Sequence, residues 1–123
     1  AITAEPLTPG PITAMIIGSV GAVIMYFGTK MLESYGLDDV VGAIPVHMFA
    51  GIFGTLVVPL TNPDTSFGTQ FVGTASVCIF SFGLSWATFT ILKSTVGLRI
   101  SKAAEKLGTD KAEVGVTAYS IRD

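Results

Sequence analysis

The segment "DDVVGAIPVHMFAGIFGTLVVPL" (residues 38–60) lies between two other long apolar runs. It starts with two acidic residues and contains His47, the only histidine in the chain. The 24 residues between Asp39 and Asp64 include no other titratable side chain. Because a helix needs about 20 apolar residues to cross a hydrocarbon core of roughly 30 Å, the segment predicts a transmembrane helix that carries one polar ring.

The same pattern occurs on both sides of this segment. Glu5 and Lys30 enclose 24 uncharged residues, and Asp64 and Lys93 enclose 28. Only 13% of the 123 residues are charged, against about 25% in an ordinary soluble domain. We therefore predict an all-α, polytopic helical membrane protein. Its membrane region is residues 1–98, with transmembrane helices at about residues 12–29, 40–60 and 69–92.

The basic residues predict the orientation of these helices. Six of the seven lysines and arginines lie at or after Lys93. Since cytoplasmic segments of membrane proteins are enriched in lysine and arginine, we expect residues 99–123 to form a cytoplasmic tail. The third span then runs inward. Lys30, in the connector between the first two spans, falls on the same inner side, and residues 61–68 face outward.

The tail sequence predicts short helices. Ser101 is placed to cap a helix that ends at Gly108. Asp110 followed by Glu113 resembles a capping box, and Gly115 would end that second turn. A merely solvated tail is the alternative.

Small residues predict where the spans approach one another. Gly18, Gly21 and Ala22 lie on the first span, and Ala50 and Gly54, widened by Gly51, lie on the second. Such residues allow close contact between helices, although glycine is in any case commoner in membrane helices.

Three residues of the middle span are candidates for a functional site. An ionisable side chain within a span usually faces the protein interior or a water-filled cavity, so His47 is a candidate for substrate contact; hydrogen bonding as packing glue is the alternative. Pro45 interrupts a helical ladder and would free a backbone carbonyl or kink the helix. Asp39 complements the positive end of the helix dipole, or bonds to the backbone of a neighbouring span.

Several function classes lack support. The sequence has no nucleophile elbow, phosphate loop or Cys/His metal spacing, so we expect no enzyme activity, catalytic residue, metal or cofactor. Cys78 is the only cysteine and would pack as a small hydrophobic residue. Without a basic patch carrying interleaved aromatic residues, nucleic acid binding has no support.

Two segments together resemble the ammonium transporter family, Amt/Mep/Rh. They are "DDVVGAIPVHMFAGIFGTL" (residues 38–56) and "VGLRISKAAEKLGTDKAEVGVTAY" (residues 96–119). The opening "AITA" is similar to the end of that family's eighth span. The resemblance implies the C-terminal part of an eleven-helix channel in the cell (inner) membrane, with the upstream spans of the same protein and membrane lipid around it.

The resemblance also implies roles for particular residues. His47 corresponds to the second member of a histidine pair in a narrow apolar pore for ammonium or ammonia. Asp39 corresponds to the acidic residue that starts the tenth span. The family's tail lies under the pores, couples the subunits of a homotrimer and contacts PII-type nitrogen regulators. The matching tail residues are Gly97, Arg99, Gly108, Asp110, Gly115 and Tyr119.

The sequence departs from the family pattern at three places. Met48 follows the histidine where glycine is frequent. Lys102, Ala103 and Ala104 replace an acidic run, and Val114 stands where histidine is common. Two other functions stay open: an ammonium sensor or interaction module that signals through the tail, and a stand-alone structural membrane subunit.

Overall fold

The computed structural model describes residues 1–118, which form helices and no strand. Tyr119 lies outside the described residues. The chain forms two compact units, Ala1–Phe80 and the residues from Ser81 onward, and the helix Phe67–Thr95 contributes to both. The elements in chain order are α1 (Pro11–Ser34), a π-helix (Ile44–Phe49), α2 (Ala50–Val57), a 3₁₀ turn (Val58–Leu60), α3 (Phe67–Thr95), α4 (Lys102–Leu107) and a π-helical turn (Asp110–Val114).

Within residues 1–118, two helices are long and apolar enough to cross a membrane, α1 with 24 residues and α3 with 29. The predicted middle span is the shorter apolar stretch Ile44–Leu60. It starts four residues later than expected, because residues 38–42 form the turn that precedes it. Its 17 residues stand at the lower limit of the roughly 17 to 25 that span a bilayer. The helical, polytopic class is confirmed.

The first helix is longer than the sequence predicts. Lys30 belongs to α1 rather than to a connector, and its Nζ lies 4.6 Å from the centre of the Tyr26 ring. The helix ends where Gly36 adopts a φ of +68°. There the Leu37 N–H donates to the Leu32 carbonyl at 3.0 Å, the bonding of a Schellman motif. Burial of Leu32 explains why the helix continues past Lys30.

Glycines mark the contact between α1 and the middle span. A Cβ placed on Gly21 would lie 3.9 Å from the Cβ of Ala50 and 2.5 Å from that of Ala1. One placed on Gly54 would collide with the backbone of Ala1. Close approach of the two spans is therefore confirmed for Gly21 and Ala50, whereas Gly54 packs against Ala1 of the N-terminal segment. At Gly18 and Gly51 nothing among the described residues lies within 4 Å of a Cβ, so close packing there stays a prediction.

A polar contact joins the N-terminal segment to the connection between the middle span and α3. The side-chain amide of Asn62 donates a hydrogen bond of 2.8 Å to Glu5 Oε2, and the Leu7 N–H donates to Glu5 Oε1. These bonds lower the pKa of Glu5, the Asn62 contact most strongly. The segment that follows leads into α3, where Ser66 Oγ accepts from the Thr69 N–H and caps the helix start.

Candidate functional site

The middle span begins on the carboxylate of Asp39. Its Oδ1 accepts the backbone N–H of Ala43 at 2.9 Å, and its Oδ2 accepts that of Ile44 at 2.7 Å. Its carbonyl accepts the N–H of Gly42, a residue with φ of +67° that turns the chain into the helix. The first N–H groups of a helix have no partner within it, and here one acidic residue satisfies two of them. Asp39 thus bonds to its own span, and within residues 1–118 its side chain bonds to no neighbouring span.

Pro45 occupies the first turn of this span. Because a proline has no N–H, it is tolerated in the first turn, where an N–H would lack a partner. The expected mid-span interruption is therefore wrong. The next residue, Val46, donates normally to the Gly42 carbonyl at 3.1 Å. The Pro45 carbonyl accepts the N–H of Ala50, five residues on, which is π-helical bonding.

Pro45 and Phe49 seat the π-helix on α1. Pro45 is the largest fully buried side chain among the described residues. A Cβ on Gly28 of α1 would lie 3.3 Å from Pro45 Cβ and 2.6 Å from Phe49 Cδ2. The sequence analysis did not predict a contact at Gly28. The seven-residue spacing between Gly21 and Gly28 could have indicated it, because that spacing places both glycines on one face of α1.

His47 lies within the π-helix and is exposed on this chain. The His47 ring makes no hydrogen bond to any residue in the range 1–118, so within that range it does not join two helices by a hydrogen bond. Met48 beside it is 49% exposed. The π-helix therefore presents an imidazole, with one donor and one acceptor nitrogen in its neutral form, on a surface that residues 1–118 leave open.

A cavity of about 320 Å³ lies at the start of the middle span. Its lining includes the apolar Leu32 and Pro45 and the acidic Glu33, Asp38 and Asp39. Within residues 1–118, no group of three or more histidine, cysteine or acidic side chains is placed to hold a metal ion.

In the second unit, the tail residues form two short elements, α4 and the π-helical turn Asp110–Val114. Ser101 Oγ accepts the Ala104 N–H at 3.2 Å and caps α4, which ends at Gly108 as predicted. Arg99 forms an ion pair with Glu105 of α4, and both side chains are at least half exposed. Glu105 directly follows Lys102, Ala103 and Ala104 in the sequence.

Asp110 does not form the expected capping box. The N-cap of the second turn is Thr109, and Asp110 is its first residue. The Asp110 carboxylate instead accepts the N–H of Ala118 at 2.9 Å, which is the main cause of its lowered pKa. Gly115 ends the turn as predicted, with φ of +74°. Gly97 and Gly108 also have positive φ, a conformation that glycine adopts without steric cost.

Comparison with known proteins identifies the family. The sequence profile of the Ammonium Transporter Family matches residues 1–119. The chain belongs to the ammonium transporter family. It is 34% identical to ammonium transporter Amt2 of Archaeoglobus fulgidus and 31% identical to the ammonium transporter of Corynebacterium glutamicum. It is 32% identical to ammonium transporter Amt2 of Methanocaldococcus jannaschii.

The matches to these family members cover 97%, 98% and 89% of the chain, respectively. The chain spans only 30%, 30% and 28% of the length of the three relatives. Family membership and the two long apolar helices establish an integral membrane protein.

Proposed function

We propose that the protein containing this chain transports ammonium or ammonia across the cell membrane, and that His47 lines its pore. The observation that carries the proposal is an exposed histidine, the only titratable group between Asp39 and Asp64, in the middle span of an ammonium transporter family member. An ionisable ring that faces lipid is costly, so a histidine within this span is favoured on a surface that faces the protein interior or a pore.

The chemistry of the imidazole fits this role. An apolar pore penalises a bare cation, so ammonium transfers its proton to water at the outer face before passage, and ammonia crosses. A neutral imidazole can accept from or donate to ammonia without holding it tightly, and conduction requires such weak binding. A second histidine from an upstream span completes the pair, with Asp39 and Pro45 supporting the pore by fixing where the span of His47 begins.

Uptake of methylammonium by the full-length protein tests this role. With His47→Ala we expect uptake to fall by about tenfold, the effect of losing one hydrogen bond worth roughly 1.4 kcal/mol during passage. Val41→Ala is the control, because Val41 is 82% exposed and precedes the span. An unchanged rate and selectivity in His47→Ala would refute the role of His47. Absent flux in the intact protein would favour the sensor function instead.

The assembly and its regulation follow the family pattern. The protein is a homotrimer with a cytoplasmic tail that contacts a PII-type regulator of nitrogen metabolism. Three exposed lysines lie on the two short tail helices: Lys102, Lys106 and Lys111. The hydrogen bond from the Ala118 N–H to Asp110 ties the residues after the second helix back to its start.

Titration of the full-length protein with a PII-type protein tests the tail. Asp110→Asn should weaken binding, because a neutral amide accepts a weaker hydrogen bond from Ala118. Glu113→Gln is the matched control, since it removes a charge from the same turn without touching that bond. Equal affinity for all three proteins would contradict a role for Asp110.

A further inference from the structure

Gly28 lies on the face of α1 that receives the π-helix of His47. It is buried, and a Cβ there would lie 2.6 Å from Phe49 Cδ2, 3.1 Å from Phe49 Cε2 and 3.3 Å from Pro45 Cβ. Real Cβ atoms essentially never approach another atom within 3.0 Å. Because Gly28 has no side chain, the Phe49 ring can occupy the space that a Cβ would fill.

The two residues that contact Gly28 bracket His47 in the chain. Pro45 precedes it by two positions and Phe49 follows it by two, and both belong to the same π-helix. Pro45 is fully buried and has a rigid ring, so it cannot move away. A π-helix is rare and requires support from its surroundings, and its wider turn changes the direction in which the next side chains project.

We propose that Gly28 is a positioning residue for His47. By admitting Phe49 against α1 beside Pro45, it holds the π-helical turn, and that turn sets the direction of the imidazole. The inference rests on the proposed pore role of His47 and adds a residue on another helix that determines the geometry of the site.

The experiment compares Gly28→Ala with Gly18→Ala in the full-length protein. Gly18 lies on the same helix, and nothing among the described residues lies within 4 Å of a Cβ there. The readouts are the methylammonium uptake rate per folded protein and the ratio of ammonium to methylammonium transport. We expect Gly28→Ala to lower uptake by roughly tenfold or more and to change the ratio, as misplacing a functional group does. Gly18→Ala should change neither.

A compensating substitution separates positioning from folding. Phe49→Leu removes ring atoms that a Cβ on Gly28 would meet, so the double variant Gly28→Ala/Phe49→Leu should recover the transport ratio of the unaltered protein. Phe49→Leu alone leaves a gap next to Gly28, whereas Gly28→Ala creates a collision with Phe49. Phe49→Leu should therefore shift the ratio of ammonium to methylammonium transport less than Gly28→Ala does. This single variant also decides the question if Gly28→Ala does not fold.

The outcomes distinguish this inference from the proposed function. An unchanged transport ratio in Gly28→Ala or in Phe49→Leu overturns the positioning role, even if the amount of folded protein falls. If His47→Ala changes transport while these variants do not, only the positioning role fails. If His47→Ala leaves transport unchanged, the pore role of His47 fails, and the positioning role fails with it.

Discussion

Asp39 Oδ2 accepts the backbone N–H of Ile44 across five residues, at 2.7 Å. Its other oxygen accepts the N–H of Ala43. The next residue, Pro45, has no N–H. These three facts set the start of the middle span at Ile44: the carboxylate satisfies the N–H groups that precede the proline, and the helical bonding begins after it.

Replacing Asp39 by asparagine should therefore loosen this helix start. An amide has one acceptor oxygen and no charge, so one of the two N–H groups loses its partner. We expect the free energy of unfolding to fall by about 1 to 2 kcal/mol, as for loss of a helix cap. Thermal unfolding of the full-length protein measures it. Asp38→Asn is the matched control, because Asp38 is exposed and bonds through its side chain to nothing in residues 1–118. Equal destabilisation by both changes would contradict the capping role.

The sequence predicted where the spans lie along the chain. It did not predict the π-helical bonding of the middle span. Uncharged runs long enough to cross a bilayer predicted α1 and α3 within a few residues, except that α1 passes Lys30. The π-helix depends on how Pro45 and Phe49 seat on Gly28, a contact between residues 17 or more positions apart that no local pattern contains. For the same reason the sequence could not tell the contact glycine Gly21 from the open Gly18.

In the tail, too, contacts between near neighbours were predicted and contacts between more distant residues were not. The cap at Ser101 is a local signal, and it was predicted correctly. The role of Asp110 was not, because its partner, the Ala118 N–H, lies eight residues away beyond a glycine turn.

Gly54 and Gly51 offer a test of the contact face of α2. A methyl group at Gly54 would meet the backbone of Ala1, which cannot yield as a flexible side chain can. We expect Gly54→Ala to destabilise the full-length protein by about 1 to 3 kcal/mol through overpacking. Gly51→Ala meets nothing within 4 Å among residues 1–118 and should be neutral or slightly stabilising, because alanine favours helix. Thermal unfolding of both variants checks this. A larger loss for Gly51→Ala would place the contact face elsewhere.

The link between Glu5 and Asn62 should depend on pH. The pKa of Glu5 is lowered from its ordinary value of 4.5, chiefly by the Asn62 hydrogen bond, so the folded state releases the proton more readily than the unfolded state. The stabilisation is complete above about pH 4.5 and is lost as the pH falls through the lowered pKa.

Asn62→Ala should therefore lower the Tm of the full-length protein at pH 7, and the difference from the unaltered protein should shrink below about pH 4.5. Asp64→Asn, a change in the same loop that leaves the Glu5 contact intact, should show no such convergence. A Tm difference for Asn62→Ala that stays constant with pH would show that the carboxylate of Glu5 is not its cause.

The last prediction concerns which contact orders the start of the tail. The Arg99–Glu105 ion pair is exposed, with relative exposures of 79% and 50%, and such pairs contribute about 0 to 1 kcal/mol. The Ser101 hydroxyl satisfies a backbone N–H of α4, and loss of such a cap costs about 1 kcal/mol. Ser101→Ala should therefore accelerate hydrogen exchange at the Ala104 amide by about fivefold, and Glu105→Gln should change it less. Exchange measured in the full-length protein decides this, and faster exchange in Glu105→Gln than in Ser101→Ala would make the ion pair the dominant contact.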